Sequence, residues 1–308
     1  MSGDLDPDAT IALIDKYFGG LKPNPELPKL DLPKEAPITQ PVVKEVLGPD
    51  AESVALAWRF PGVSDKDFEI LQVVSQVLYN GKAGLIDLDL NQQQKVLNSY
   101  GYPMGLADYS AFILGGLPKQ GQMLEEVKDL LLNEIKKLRA GEFDEKMLQA
   151  NINNFKLYEL QSMESNEGRA DIFVNSFING TNWEDEVTAI DRMAKLTKED
   201  IVAFADKYLK EDNYAVVYKK QGKDPNEKKM TKPEITPIVS NRDVASPFLT
   251  SIQENAVKPI EPVFLDFKKD MSQLTAKSDI PVLYKQNTTN DLFQLIYVFD
   301  MGNNNDKA

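Results

Sequence analysis

Two amphipathic helical patterns, separated by a single glycine, occupy the stretch from Gln122 to Ser165 and force the chain into a layered fold. Leu124, Val127, Leu131, Ile135 and Leu138 recur at three- and four-residue steps, while Glu125, Glu126, Lys128, Asp129, Lys136 and Lys137 face away. Gly141 follows the last apolar residue, where a left-handed residue closes a helix. Asp144 then caps a second helix, with Phe143 and Leu148 as a staple and Leu148, Ile152, Phe155 and Tyr158 on one side. A buried large apolar side chain contributes about 1.5–3 kcal/mol, so each stripe must pack on a sheet or another helix to offset the entropy of ordering it.

Proline placement divides the chain. Six prolines fall between Pro23 and Pro41 and six between Pro225 and Pro262, whereas Val42 to Asp224 holds only Pro49, Pro61, Pro103 and Pro118. Proline removes a backbone donor and stiffens extended chain, so the two clusters read as linkers, 23–35 and 221–262, around one folded unit, 36–220. Before them, Asp6 caps a helix that has Pro7 at its first position, carries Ile11, Ile14 and Phe18 on one face and ends at Gly19 and Gly20.

Within the unit, Val42 to Val46 and Ser53 to Phe60 predict strands. In the second, Val54, Leu56, Trp58 and Phe60 alternate with Ser53, Ala55, Ala57 and Arg59, giving a bulky face and a small one. Pro61 and Gly62 turn the chain into a helix capped by Ser64, with Asp67 in the capping-box position, that runs to Asn80 before Gly81. A short helix at Leu85 to Asn91 precedes paired strands at Val96 to Tyr102 and Ala107 to Leu117. The second of these is apolar on both faces, as an interior strand is. Helices follow at Gly168 to Phe177, Trp183 to Ala194 and Lys198 to Leu209, the last begun by Thr197 and Asp200 as a capping box, and Tyr214 to Lys219 closes the unit as a strand. This order suits a mixed sheet covered by helices on one side. Beyond the second linker, Pro281 to Lys285 and Leu292 to Met301 predict a hairpin around Asn287 to Asp291.

The residue counts exclude much chemistry. With no histidine and no cysteine, the chain has no histidine base, cysteine nucleophile, Ser/His/Asp triad or zinc site of the usual ligands. A net charge of −13 opposes nucleic acid as a partner, and no apolar run approaches the roughly 20 residues of a membrane span. Asp4, Asp6 and Asp8 imitate a calcium loop, but Pro7 and Ala9 break it and Asp15 stands at its twelfth position. Asp87 and Asp89 read as surface carboxylates, and the glycines between Ile113 and Leu117 as a strand end or bulge, not a phosphate loop. Asn179-Gly180-Thr181 and Asn287-Thr288-Thr289 match the glycosylation pattern, which is too short to assign.

The chain resembles the pitrilysin-like (insulinase-like) zinc metallopeptidases. Gly3 to Pro7 leading into Tyr17-Phe18-Gly19 is similar to the end of that family's metal-bearing domain. Residues 36 to 220 resemble its second domain, notably Glu142-Phe143-Asp144-Glu145 after Gly141 and Leu196 to Ile201 before a late helix. Ile280 to Tyr284 and Phe293 to Gly302 resemble the opening strands of a third domain. The resemblance implies an α+β two-layer sandwich with a mixed, largely antiparallel sheet. It divides the chain into a terminal helix of an upstream domain (1–22), a linker (23–35), a non-catalytic domain (36–220), a linker (221–262) and the opening hairpin of a truncated third domain (263–308).

It also implies an inverted H-x-x-E-H zinc motif in the first domain, where zinc polarises the peptide carbonyl and activates water. No residue here matches that motif, so no catalytic, cofactor-binding or metal residue is carried over and zinc is expected only in the parent protein. The expected partners are the parent's other domains and, in the complete protein, a peptide. The leading expectation is therefore a non-catalytic, substrate-enclosing piece of a zinc metallopeptidase, inactive alone. The alternatives are a metal-free scaffold or assembly subunit of the same fold, as in respiratory complexes, and a stand-alone binding module.

Overall fold

The computed structural model describes residues 1–28, 33–224, 232–237, 244–257, 259, 261–299 and 302, and the chain divides into two compact units, Met1–Glu227 and Lys228–Ala308. The first unit is built on a five-stranded sheet of β1 (Val42–Gly48), β2 (Ser53–Pro61), β3 (Asn98–Met104), β4 (Tyr109–Leu117) and β5 (Tyr214–Gln221), in the order β1-β5-β2-β4-β3. β1 runs parallel to β5, and every other pairing is antiparallel. Its helices are α1 (Pro7–Phe18), α2 (Lys66–Leu78), α3 (Leu124–Arg139), α4 (Lys146–Ser162), α5 (Asn166–Asn179), α6 (Trp183–Val187), α7 (Ala189–Met193) and α8 (Lys198–Tyr208). The fold is the expected α+β two-layer arrangement.

The core lies between one face of the sheet and α2, α3 and α8. The bulky face of β2 supplies Val54, Leu56, Trp58 and Phe60, all buried, and the register sets Leu114 beside Leu56 and Phe112 beside Trp58. The Trp58 indole stacks at a tilt on Tyr214, 5.4 Å away, and donates from Nε1 to the Lys210 carbonyl at 3.1 Å. The predicted stripe of α3 is buried at all five positions, and Gly141 takes the left-handed conformation (φ 72°) that ends it. Gly116 lies on the same side, where a β-carbon would meet Val127 Cγ1 at 2.5 Å, so the close approach of α3 to β4 depends on its lack of a side chain.

Several local expectations are corrected. Asp65, not Ser64, caps α2, because its carboxylate accepts the Asp67 N–H at 2.8 Å. The helix expected over Trp183 to Ala194 is broken at Thr188 (φ −109°, ψ 4°), whose hydroxyl donates to the Glu184 carbonyl at 2.6 Å. This is the local competition with the backbone that threonine offers. Leu148 and Ile152 of α4 are buried, but the stripe leaves the core by Tyr158, which is exposed. The short helix near Leu85 contains a π-helical turn, Asp87–Asn91. Of the two alternatives for Gly115 and Gly116 the strand end holds: they are the last residues of β4 before Leu117 and pair with Ala55 and Val54 without a bulge.

In the second unit, α9 (Pro247–Gln253) went unpredicted, and the hairpin is not the one the alternation suggests. β7 (Pro281–Tyr284) pairs with β6 (Ser272–Thr275), through a turn in which Ser278 and Asp279 are left-handed and the Ala276 N–H donates to the Ile280 carbonyl. The described part of Leu292 to Met301, which ends at Phe299, forms no strand. The Asn287 amide donates to the Leu292 carbonyl and the Asn290 side chain accepts the Leu292 N–H, so side chains occupy backbone groups that a ladder would need. Met301 lies outside the described residues.

Candidate functional site

The face of the sheet opposite the helices is open, and pairing register alone assembles it. Ala57 of β2 lies between Ile113 of β4 and Ala215 of β5, with Tyr102 and Val42 beyond them. One step along, Ala55 lies between Gly115 and Val217, with Tyr100 and Lys44 beyond. Side chains of neighbouring strands that point the same way stand about 4.8 Å apart, so Ala55, Ala57 and Ala215 form a low floor between taller walls. These floor residues are half-buried, while Tyr102, Val42 and Val217 are exposed.

Tyr100 and Tyr102 stack with their ring centres 6.1 Å apart, and the Tyr100 ring lies over Gly115. Burial, and secondarily the neighbouring Tyr102, push the Tyr100 phenol above its ordinary titration range. At one end of the floor the Arg59 guanidinium stands over the Tyr109 ring at 5.2 Å and donates from Nη2 to the Ala36 carbonyl at 2.6 Å, while the Tyr109 hydroxyl accepts the Glu35 N–H at 2.9 Å. The segment before β1 is thereby strapped across that end, with Ile38 half-buried. At the other end Lys219 donates to the Ala51 carbonyl at 2.8 Å and lies 3.7 Å from Asp50.

The acids singled out in the sequence do not converge. Asp6 accepts the Ala9 N–H as the cap of α1. Asp87, expected at the surface, is buried, where its carboxylate accepts the N–H groups of Asn80 at 2.9 Å and Gly84 at 3.0 Å. Asp89 pairs with Lys137, which also holds Glu134 at 2.9 Å. Glu134 is buried at the edge of the apolar stripe of α3, three residues after Leu131 and four before Leu138, a position the apolar residues alone do not mark. Burial pushes its carboxyl up despite Lys137, whereas the Lys137 hydrogen bond holds Asp89 low.

This donor set does not fit zinc: the chain has no histidine or cysteine, and among the described residues no three carboxylates gather around a possible metal position. A cleft of about 200 Å³ is lined by Val73, Leu148, Ile152, Met193 and Leu196, with Glu145 and Gln149 at its polar side. Small-molecule sites usually occupy about 300–1,000 Å³. Among the described residues no helix is long and apolar enough to cross a membrane.

Comparison with known proteins places this architecture. The family model described as the peptidase M16 inactive domain matches residues 1–155. The zinc protease PqqE of Helicobacter pylori (strain ATCC 700392 / 26695) is 27% identical over 228 residues, which are 71% of this chain and 50% of the relative. A solved protease from Helicobacter pylori superposes with a TM-score of 0.66 at 22% identity, over 71% of this chain and 54% of the other. The peptidase M16 inactive domain from Pseudomonas fluorescens gives 0.59 at 16% over 70% and 52%, and the periplasmic protease PqqL from Escherichia coli 0.56 at 13% over 93% and 34%. These structures share the fold, and the chain spans about half the length of the curated relative it matches. From residue 1 to residue 155, half of its length, it carries the family pattern, and the chain belongs to the M16, pitrilysin-like metallopeptidase family, as an inactive domain of it.

Proposed function

We propose that this chain is a non-catalytic wall of a peptide-enclosing chamber in an M16-type zinc peptidase, and that its open sheet face is the surface turned toward the peptide. The observation that carries the reading is the floor of Ala55, Ala57 and Ala215, a level strip that accepts an extended chain lying along β2. A sheet face with no further role would be expected to expose bulkier polar side chains at its centre. In this reading residues 36–220 form the wall, 1–22 end an upstream domain, 263–308 open a third, and 23–35 and 221–262 join them. Zinc and its ligands belong to another domain of the complete protein, together with the peptide-hydrolysing activity.

Photo-crosslinking tests the proposal. An extended peptide carrying a benzophenone side chain should, on irradiation with the 308-residue chain, label residues of β2, β4 and β5 on the open face. Ala57→Trp, which fills the floor, should abolish that labelling while leaving the circular dichroism spectrum intact. Adducts confined to the helical layer, or labelling unchanged by Ala57→Trp, overturn it.

A further inference from the structure

The open face differs in charge from the rest of the molecule. The chain has 48 acidic residues against 35 basic ones, yet the strand positions that share this face carry Lys44, Arg59 and Lys219 and no acid. The acid of β1, Glu45, sits at the opposite parity and reaches Lys220 at 2.8 Å. Among the described residues neither Lys44 nor Arg59 is paired with a carboxylate, and Arg59 is met instead by a tyrosine ring and a carbonyl, which leave its charge uncancelled. Lys219 is partly compensated by Asp50, whose side chain is itself exposed.

We propose that the open face selects acidic peptides: an extended segment whose bulky apolar side chains fall on the alanine floor and whose carboxylates meet Lys44 and Arg59. The inference rests on the face being the peptide-contacting one, and it adds the class of peptide taken. On geometry, same-face side chains of an extended peptide repeat at the interval that separates Ala55 from Ala57, so apolar residues at alternate positions fit the floor in step. On electrostatics, a molecule of net charge −13 repels an acidic peptide at long range, and a local cluster of cations gives such a peptide one favoured place to land. A basic peptide is drawn to the acidic remainder of the surface and repelled from this face. The Tyr100 and Tyr102 rings wall the floor on the β3 side and offer apolar contact to the same bulky residues.

The test compares two labelled peptides of equal length, each with Leu and Phe at alternate positions and Ser between, one carrying Glu and the other Lys at the next alternate positions on either side so that the charges share the apolar face, by fluorescence anisotropy on the 308-residue chain. At about 20 mM salt the acidic peptide should bind at least ~10-fold more tightly, and at about 500 mM salt the two affinities should converge. Lys44→Glu combined with Arg59→Gln should erase the low-salt preference. Equal affinities, a preference for the basic peptide, or a preference that survives those substitutions overturns the inference. Equal binding of both peptides that Ala57→Trp blocks overturns it alone and leaves the wall reading standing; no binding of either overturns both. If the double variant fails to fold, the salt dependence of the unmodified chain decides.

Discussion

The ring of Tyr100 lies across the α-carbon of Gly115 on the neighbouring strand, so closely that a β-carbon there would come within 2.7 Å of Tyr100 Cε2. The two residues behave as one packing unit, a missing side chain filled by its neighbour's ring.

Gly115→Ala should therefore displace Tyr100. We expect a loss of about 1–3 kcal/mol, the usual cost of adding a methyl group to a filled site, read from urea unfolding. The Tyr100 phenol, which burial and then Tyr102 push up, should also return toward its ordinary range, seen as an ultraviolet titration difference that Tyr100→Phe abolishes. An unchanged titration means that the ring stays in place.

The Glu134–Lys137–Asp89 cluster yields a signed pH prediction. Burial raises Glu134, so the folded state keeps its proton to higher pH than the unfolded chain, and stability from this group falls as pH rises from the unfolded value through the folded one. Lys137→Met, which leaves Glu134 buried without its cation, should cost about 3 kcal/mol at neutral pH. That deficit should shrink on acidification, as Glu134 takes up its proton. Glu134→Gln should be far milder and should flatten the fall with pH. Urea unfolding at a series of pH values measures all three proteins.

Thr197 and Asp200 form a reciprocal capping box at the start of α8. Thr197→Ala should cost about 1 kcal/mol. Asp200 is held low by the Thr197 backbone and then by its hydroxyl, so its contribution is present above the unfolded carboxylate range and lost as pH falls through the lower folded value. Asp200→Asn should be destabilising at neutral pH, with the difference from the unmodified chain closing in acid.

Arg59→Ala should release the strap that crosses one end of the open face. Hydrogen exchange at the Glu35 amide, which is bonded to the Tyr109 hydroxyl, is expected to accelerate, with the amides of β2 and β4 unchanged. Protection that persists in the variant would show that Tyr109 alone holds the segment.

Where the fold was legible, short-range chemistry had set it. The five apolar positions of α3, Gly141 and the Thr197–Asp200 box all depend on residues within a few positions of each other, and each falls where periodicity and capping place it. The Thr188 break was missed because the apolar pattern runs across it while a single hydroxyl bond interrupts the helix. Asp87 was read as a surface carboxylate because the partners that receive it are backbone amides of Asn80 and Gly84, which residue type does not reveal. The small face of β2 was visible as alternating residues. Its meaning was not, because the floor exists only once pairing sets Ala215 beside Ala57. The β6–β7 hairpin was lost to the stronger alternation after Leu292, which turn chemistry overrides.

The parallel pairing of β1 with β5 has a consequence in time. Val42 is matched with Ala215, some 170 residues later, so β1 is the first strand of the sheet to be made and cannot take its place until β5 arrives. At about 5–20 residues per second of synthesis, that wait is roughly 10–30 s. Once residue 117 has been made, β2, β4 and β3 are able to pair among themselves, while the flank of β2 that β5 will occupy stays bare until the end of the wait. A nascent chain of this protein thus carries its most adhesive edge until the last strand of the sheet has left the ribosome, and that interval is when it most needs a chaperone's cover.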